Sequence, residues 1–287
     1  MRIIDRLDEM TETARGWLSG GSVGFVPIIS SLHEGHRALV QAARAECEIS
    51  VVSIILLPLK MNTGNNGTVY PRDLSRDLQF LSNMGIDVVF VPPPEELYPQ
   101  QLATYVALSG PLAQRLEQRS DAATIRGFAT IMTKLFLLVR PDIAFVGQKD
   151  AQQVAILRQI VHDLNMDVNL RVLPTVRESS GLALSSRNLR LSWTERQVAS
   201  VLYQALLIGR ALVEKGEQRA EVIKEAITRH ATAEPLVQIQ AITIAQPDTL
   251  AELDLVAPGT IFVIEARIGN VSLTDNILWN SNGQWII

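Results

Sequence analysis

The chain has 287 residues, of which 47% are hydrophobic and 20% are charged, and its formal net charge is −4. This composition is typical of a globular protein with one large domain or two modest ones, and it argues against nucleic-acid binding and a disordered acidic tail. Because the only cysteine is Cys47, and no apolar run resembles a signal peptide or approaches the roughly 20 residues that span a bilayer, we expect a cytoplasmic protein without a membrane anchor.

The first predicted elements are a buried strand at residues 23–29 and a helix at 37–45, joined by Leu32-His33-Glu34-Gly35-His36. The i, i+3 spacing places both imidazoles on one helical face, near the N-terminus that favours phosphate. Imidazoles can donate to phosphoryl oxygens there, and Gly35 lets the backbone approach a ligand. Surface histidines are the ordinary alternative, whereas zinc is disfavoured because no third ligand lies nearby at metal spacing.

Strands and helices continue to alternate up to about residue 175. Because strands that alternate with helices favour a parallel sheet, we expect an α/β fold with a doubly wound, Rossmann-like sheet. Ligands bind such sheets beyond the carboxyl ends of the strands, where the two histidines, Lys60, Lys149 and Asp150 are expected to line one crevice. The predicted strands are 49–57, 87–91, 142–146 and 168–172, with a short extra one at 104–108, and the predicted helices are 73–84, 125–139 and 151–164.

The pattern changes near residue 180. Helices are predicted at 194–215 and 220–232, followed by strands at 237–242 and 261–267. This arrangement predicts a second, smaller α+β domain. We therefore divide the chain into a Rossmann-like domain at residues 1–178 and a C-terminal lid domain at 179–287.

Two further polar segments carry groups suited to phosphate. Gly147-Gln148-Lys149-Asp150 closes a strand and opens a helix, so that the glycine permits a tight turn and the lysine supplies a mobile ammonium. Leu184-Ser185-Ser186-Arg187-Asn188 supplies two hydroxyls and a guanidinium that can clamp a triphosphate. Taken singly, each segment is equally well explained as a solvated turn or a capped linker, but their occurrence together favours phosphate binding.

Together these motifs resemble the pantothenate synthetase (pantoate–β-alanine ligase) family of the HIGH-signature nucleotidyltransferase superfamily. The resemblance covers nearly the whole chain, from residue 23 to residue 276. Besides the three segments above, the matching motifs are Tyr70-Pro71-Arg72, Gln152-Gln153, Pro174-Thr175-Val176-Arg177-Glu178, Gly181-Leu182-Ala183 before Leu184, Ala266-Arg267-Ile268-Gly269 and Asp275-Asn276.

The resemblance implies a two-step, ATP-dependent ligation. A carboxylate attacks the α-phosphorus of ATP to form an acyl-adenylate and pyrophosphate, and an amine then displaces AMP to form an amide. It implies catalytic roles for His33, His36 (the proton donor), Lys149 and Arg187. It also implies Mg²⁺ near Asp77, acid binding by Lys60 and Gln153, and a homodimer. The implied nucleotide site comprises Ile29, Ser30, His33, Gly35, His36, Gly147, Lys149, Asp150, Val176, Leu184, Ser185, Ser186 and Arg187.

The chain departs from the family pattern on the acid side. The family's Asn-Pro-x-Gln-Phe is here Leu57-Pro58-Leu59-Lys60-Met61, so Lys60 replaces one of two glutamines that hold pantoate, while Gln153 remains. The family's His-Phe pair is here Thr124-Ile125, and its Pro-Thr-Met-Gly is Pro27-Ile28-Ile29-Ser30. Three alternatives therefore stay open: a paralogue that joins a different small acid and amine, a catalytically inactive nucleotide-binding protein, and a nucleotidylyltransferase that shares only the histidine motif.

Overall fold

A computed structural model describes residues 1–17, 20–29, 32–55, 73–99 and 102–287. The chain divides into two compact units, Met1–Val146 with Ile156–Leu173, and Gly147–Ala155 with Pro174–Ile287. Packing thus groups residues 147–155 and 174–178 with the second unit. The division into a Rossmann-like domain at 1–178 and a lid domain at 179–287 stays a prediction.

The first unit is built on a six-stranded sheet. Its neighbours β1–β4, β4–β3, β3–β2 and β2–β5 are all parallel, which confirms the predicted doubly wound sheet. Because β2 lies between β3 and β5, the strand order reverses beside β2, and ligands bind at such a reversal in open α/β sheets. The strands are β1 (Arg2–Ile4), β2 (Val23–Ile28), β3 (Ile49–Ile54), β4 (Val88–Phe90), β5 (Ile143–Gly147) and β6 (Asn169–Leu173), in the order β1-β4-β3-β2-β5-β6.

The strands of this sheet are apolar along their length because both faces are covered. Phe25 and Val26 of β2, and Val51 and Val52 of β3, are fully buried. The flanking helices supply the remaining core side chains. They are α1 (Leu7–Trp17), α2 (Glu34–Glu46), α3 (Leu74–Asn83), α4 (Pro94–Leu97), α5 (Gly110–Glu117), α6 (Ala122–Val139) and α7 (Ala151–Asp163), which begins in the second unit.

Helix α6 is the apolar centre of the first unit. Among the described helices, it alone has the length and composition of a membrane-spanning helix. More than half of it is buried, and it packs against α1, α5 and β2. Its apolar character is therefore explained by its place in the core.

The extra strand predicted at residues 104–108 is wrong, because this segment is irregular. Its backbone pairs with a helix side chain instead of a strand: the N–H of Val106 donates to the Thr130 hydroxyl at 3.0 Å. Tyr105 is exposed, with the Arg126 guanidinium 4.5 Å from its ring centroid. The β-branched and aromatic residues there suggest a strand, but tertiary contacts override that propensity.

The second unit contains a four-stranded sheet in the order β10-β9-β8-β7, in which all neighbouring strands are antiparallel. This arrangement confirms the smaller α+β part of the predicted fold. The strands are β7 (Val237–Ala245), β8 (Thr260–Ile268), β9 (Val271–Trp279) and β10 (Trp285–Ile286), and the helices are α8 (Trp193–Ala199), α9 (Val201–Glu214) and α10 (Ala220–Ala231).

The single helix predicted at 194–215 is in fact the two helices α8 and α9, which meet at Ser200. The Ser200 hydroxyl donates to the Gln197 carbonyl oxygen at 2.9 Å. A serine that bonds to the preceding turn competes with the helical backbone ladder, which explains the interruption.

Substitution at Gly24 tests how closely helix α2 packs against strand β2. A Cβ atom on Gly24 would lie 2.9 Å from Cys47 Sγ and 3.2 Å from the Ala43 carbonyl oxygen. Gly24→Ala should therefore lower the free energy of unfolding by about 1–3 kcal/mol through overpacking, measured by urea denaturation. Gly16 in α1 has open space around its Cβ position, so the control Gly16→Ala should raise it by about 0.5–1 kcal/mol. Equal stability of both variants would contradict the close packing.

Candidate active site

The two histidines begin helix α2 by capping it. His33 is the N-cap, and its Nδ1 accepts the backbone N–H of Gly35 at 3.1 Å. The Nδ1 of His36 accepts the backbone N–H of His33 at 3.2 Å, which completes a reciprocal capping box. The ring centroids lie 3.9 Å apart. The predicted position of both rings at a helix N-terminus is thus observed, with His33 just outside the helix.

This capping fixes the tautomer of each ring. A neutral imidazole whose Nδ1 accepts a hydrogen bond carries its proton on Nε2. Both His33 and His36 therefore have an Nε2–H donor, and both rings are half-buried. Two ring donors at a helix N-terminus, beside the positive end of the helix dipole, suit an anion such as a phosphoryl group.

The other predicted nucleotide residues of the first unit lie close to this capping box in the chain. Ile29 directly follows β2 and is half-buried, and Gly35 lies in the first turn of α2. Glu34 in the same turn forms a 2.6 Å ion pair with Arg37. Ser30 lies outside the described residues.

Lys149 lies in a three-residue 3-10 turn, Gln148–Asp150, which follows β5. Its side chain is 18% exposed, and its ammonium lies 3.8 Å from a carboxylate oxygen of the exposed Asp150. Apart from its two chain neighbours, no described residue has an atom within 4 Å of the Cβ position of Gly147. The described part of the chain therefore leaves room for a ligand beside the Gly147 backbone.

The turn that carries Lys149 is bonded to strand β9. The Asn276 side-chain amide donates to the carbonyl oxygens of Gln148 and Lys149, at 3.0 and 2.9 Å. The Gln148 side chain returns a bond by donating to Asn276 Oδ1 at 3.1 Å. Both amides are buried, so the two bonds between Asn276 and Gln148 are shielded from water.

The neighbour of Asn276 in β9 is held by an arginine. The Arg177 guanidinium donates to both carboxylate oxygens of Asp275, at 2.6 and 3.0 Å. Burial raises the pKa of the Asp275 carboxyl, while the guanidinium opposes that shift by favouring the charged form. The same guanidinium lies 3.9 Å from the centroid of the Tyr203 ring.

Arg177 belongs to a short hairpin that contains two of the predicted nucleotide residues, Val176 and Leu184. The Leu184 N–H donates to the Val176 carbonyl at 2.9 Å, and Arg177 pairs with Ala183 in an antiparallel bridge. Gly181 in the turn has φ +92°, which favours glycine. A Cβ there would also lie 2.6 Å from Tyr203.

Beyond the hairpin, the chain forms a 3-10 helix, Ser186–Arg190. Ser185 caps it, because its hydroxyl accepts the Arg187 N–H at 3.2 Å. Ser186 is buried, whereas Arg187 is exposed and donates to the Ser272 carbonyl oxygen at 3.1 Å. The predicted cluster of two hydroxyls and a guanidinium therefore starts a helical turn fixed to β9.

The remaining predicted residues are those assigned to the acid and to the metal ion. Lys60 and Tyr70-Pro71-Arg72 lie outside the described residues. Gln153 is exposed on α7. Asp77 is buried on α3, and among the described residues no group of three His, Cys, Asp or Glu side chains forms a metal cluster.

The sequence motifs include Asp275 and Asn276 but do not indicate what they do. The available signal is the position of two polar residues before the apolar run Ile277-Leu278-Trp279. Polar residues inside a buried strand require partners. That requirement points to a buried network, but the partners Arg177 and Gln148 are distant in the chain and emerge only from the fold.

Comparison with known proteins finds similarity over nearly the whole chain. The model of the family described as pantoate-beta-alanine ligase matches residues 2–278. The chain is 43% identical to a pantothenate synthetase of Thermosipho africanus over 97% of its length and 100% of that protein. It is 41% identical to one of Heliobacterium modesticaldum, over 97% of the chain and 99% of the relative.

Solved structures extend the similarity to the fold. A pantothenate synthetase from Thermus thermophilus superposes with a TM-score of 0.88 at 38% identity, covering 98% of this chain and 100% of that one. A pantoate-beta-alanine ligase from Francisella tularensis, described as complexed with beta-gamma ATP and β-alanine, gives a TM-score of 0.75 at 27% identity, with 97% of each chain covered.

The ring tautomers provide a direct test of the capping box. In their neutral forms, His33 and His36 are expected to carry the proton on Nε2, because each Nδ1 accepts a backbone N–H. Nitrogen-15 spectra of the four histidines, assigned with single His→Gln variants, report the tautomers. His162 is the internal control, since its Nδ1 lies 3.0 Å from Asp163 Oδ1 and should hold the opposite tautomer. Protonation at Nδ1 in His33 or His36 would contradict the observed bonds.

Proposed function

The chain belongs to the pantoate–β-alanine ligase family, and we propose that it joins pantoate to β-alanine through an acyl-adenylate. It is an ATP-dependent ligase that forms a carbon–nitrogen bond. In the proposed first step, the pantoate carboxylate attacks the α-phosphorus of ATP, and pyrophosphate leaves. In the second step, the amine of β-alanine attacks the acyl carbon, loses a proton, and displaces AMP. The observation that carries this proposal is the histidine capping box beside the reversal in strand order.

We assign His33 and His36 to the phosphoryl oxygens. Negative charge develops there as the carboxylate attacks, and donors fixed before the reaction stabilise such charge without reorganising. Both Nε2–H groups are fixed in this way, since the opposite nitrogen of each ring holds the helix start. His36 is also the proposed proton donor.

We assign Lys149 and the 3-10 helix after Ser185 to the phosphates as well. The ammonium would neutralise charge at the α-phosphorus, while the exposed guanidinium of Arg187 and the hydroxyls of Ser185 and Ser186 would grip the phosphate chain. Asp150 and the backbone of Val176 are proposed to position the nucleoside. Gly147 and Leu184 would contact the same nucleotide.

Magnesium is proposed to accompany ATP. Mg²⁺ in nucleotide sites is usually held by one or two carboxylates together with phosphate oxygens and water. The buried Asp77 carboxylate fits this mode, which needs no three-residue cluster. The ion, when bound, would offset phosphate charge.

The acid site distinguishes this proposal from its nearest rival. Lys60 stands where the family has a glutamine that binds pantoate, and Gln153 is proposed to bind the acid from α7. An amide both donates and accepts, whereas an ammonium only donates. A paralogue that activates an acid without pantoate's hydroxyl pattern is therefore the second candidate. A catalytically inactive protein is disfavoured, because His33, His36 and Lys149 are all retained.

The remaining proposals concern the setting of the enzyme. We propose that the chain forms a homodimer, as the family resemblance implies, and that it acts in the cytoplasm. Its expected partners are a small carboxylic acid and an amine. Sedimentation analysis of the purified chain would test the dimer.

Product analysis tests the reaction class. With ATP, pantoate and β-alanine, the protein should release AMP and pyrophosphate, and ADP with phosphate would refute the adenylate route.

His36→Ala or Lys149→Ala should lower kcat by about 10²–10³-fold, the scale for one lost charge-stabilising donor. Urea denaturation should show that both variants remain folded. Near-parental turnover of both variants would contradict the phosphate roles.

Lys60→Gln distinguishes the two candidate acids. If the chain is the paralogue, the substitution should weaken use of its own acid by about 1–3 kcal/mol, the scale of a lost charge-assisted bond, and partly restore use of pantoate. If the chain uses pantoate, the unmodified protein should already adenylate it efficiently. Measuring kcat/KM for pantoate and for a panel of small carboxylates, in both proteins, separates these outcomes.

A further inference from the structure

Asn276 connects strand β9 to the turn that carries Lys149, and we propose that it is a positioning residue for this lysine. The inference rests on the phosphate role proposed above for Lys149. It adds a residue that is remote in sequence from every phosphate motif. Its proposed function is to hold the backbone of Lys149, and so the base of the lysine side chain, in place.

The amide of Asn276 is held from three directions. Its nitrogen donates to the carbonyl oxygens of Gln148 and Lys149, and its oxygen accepts from the Gln148 side chain. With both donor and acceptor engaged, the amide has one orientation. At 1% exposure, Asn276 has no access to water that could replace these bonds.

The turn depends on these bonds because of its own geometry. A 3-10 turn of three residues has poorly aligned internal hydrogen bonds. The backbone at Gln148 and Lys149 therefore depends on hydrogen bonds from outside the turn, and the Asn276 amide supplies one to each carbonyl oxygen. A displacement of about 1 Å in a positioned group can cost about 10²-fold in rate.

Asn276 is itself rigidly placed. Its backbone N–H donates to Asp275 Oδ1 at 2.7 Å, and its carbonyl accepts from Arg177 at 3.3 Å. It pairs with Val263 in the register of β8 and β9. Asn276 thus transmits the position of a central strand to the lysine turn.

A buried asparagine could instead serve stability alone, and a double-mutant cycle separates the two roles. Asn276→Ala should lower kcat for pantoate-dependent ATP–pyrophosphate exchange by about 10- to 100-fold. If Asn276 acts through Lys149, the Asn276→Ala/Lys149→Ala double variant should be no slower than Lys149→Ala, because the misplaced group is already absent. A purely structural role would multiply the two losses.

Two further variants serve as matched controls. Asn280 lies after the same strand, and its side chain accepts the N–H groups of Asn282 and Gln284 at 3.0 and 2.8 Å. Asn280→Ala should lower Tm and leave the exchange rate at the parental value. Gln148→Met removes only the bond that orients the Asn276 amide, and it should reduce kcat severalfold even where Asn276→Ala fails to fold.

The outcomes separate this inference from the proposed function. A parental kcat in Asn276→Ala, or in Gln148→Met where the former does not fold, overturns the inference alone. Multiplicative losses in the cycle also overturn it. A parental rate in Lys149→Ala overturns the phosphate role of the lysine, and the inference fails with it.

Discussion

The second unit depends on a buried ion pair in strand β9. Asp275 is 3% exposed and faces the Arg177 guanidinium through two hydrogen bonds. Breaking such a pair by removing one partner typically costs about 3–5 kcal/mol, because the remaining charge has neither water nor a counter-ion. Arg177 cannot leave Asp275 without this penalty, so the hairpin that contains it is fixed to β9. Asn276 fixes the Lys149 turn to the same strand, and Arg187 bonds there through Ser272. All three nucleotide-binding segments proposed for this unit are thus bonded to the same strand.

In the first unit, helix capping holds the side chains that are proposed to bind phosphate. A helix N-terminus has backbone N–H groups without helical partners, and a capping side chain normally satisfies some of them. Here the caps are His33 and His36, so the groups that complete the helix are also the groups proposed to bind phosphate. Because Nδ1 of each ring is committed to the backbone, folding itself selects the Nε2–H tautomer. The cost of orienting the rings is therefore met before any ligand binds.

The sequence predicts what local pattern and family motifs determine, and it fails where distant partners decide. Strands buried on both faces, such as β2 and β3, are recognisable as apolar runs, and the helices between them follow. Residues 104–108 have strand-like composition, but the Val106 N–H donates to the Thr130 hydroxyl of α6 and not to a neighbouring strand. The interruption at Ser200 depends on one hydroxyl bond.

At the candidate site, spacing predicts two histidines at a helix start, but it cannot reveal that they are the cap. Strand β9 is missed because Asp275 and Asn276 break its alternation, and their partners Arg177 and Gln148 lie about a hundred residues or more away.

The identity of residue 148 illustrates how buried hydrogen bonding constrains a motif. An ionised glutamate carboxylate at position 148 could not donate to Asn276 Oδ1 as the Gln148 amide does. Asn276 would have to turn its nitrogen towards the carboxylate, which would place its oxygen against the two carbonyls it now binds. Glutamine avoids that conflict, and it also adds no negative charge next to Lys149. The Lys149 ammonium already lies 3.8 Å from a carboxylate oxygen of Asp150, so a second carboxylate at position 148 would compete further with a phosphate for its charge. The neutral amide therefore serves both the geometry of the turn and the electrostatics of the lysine.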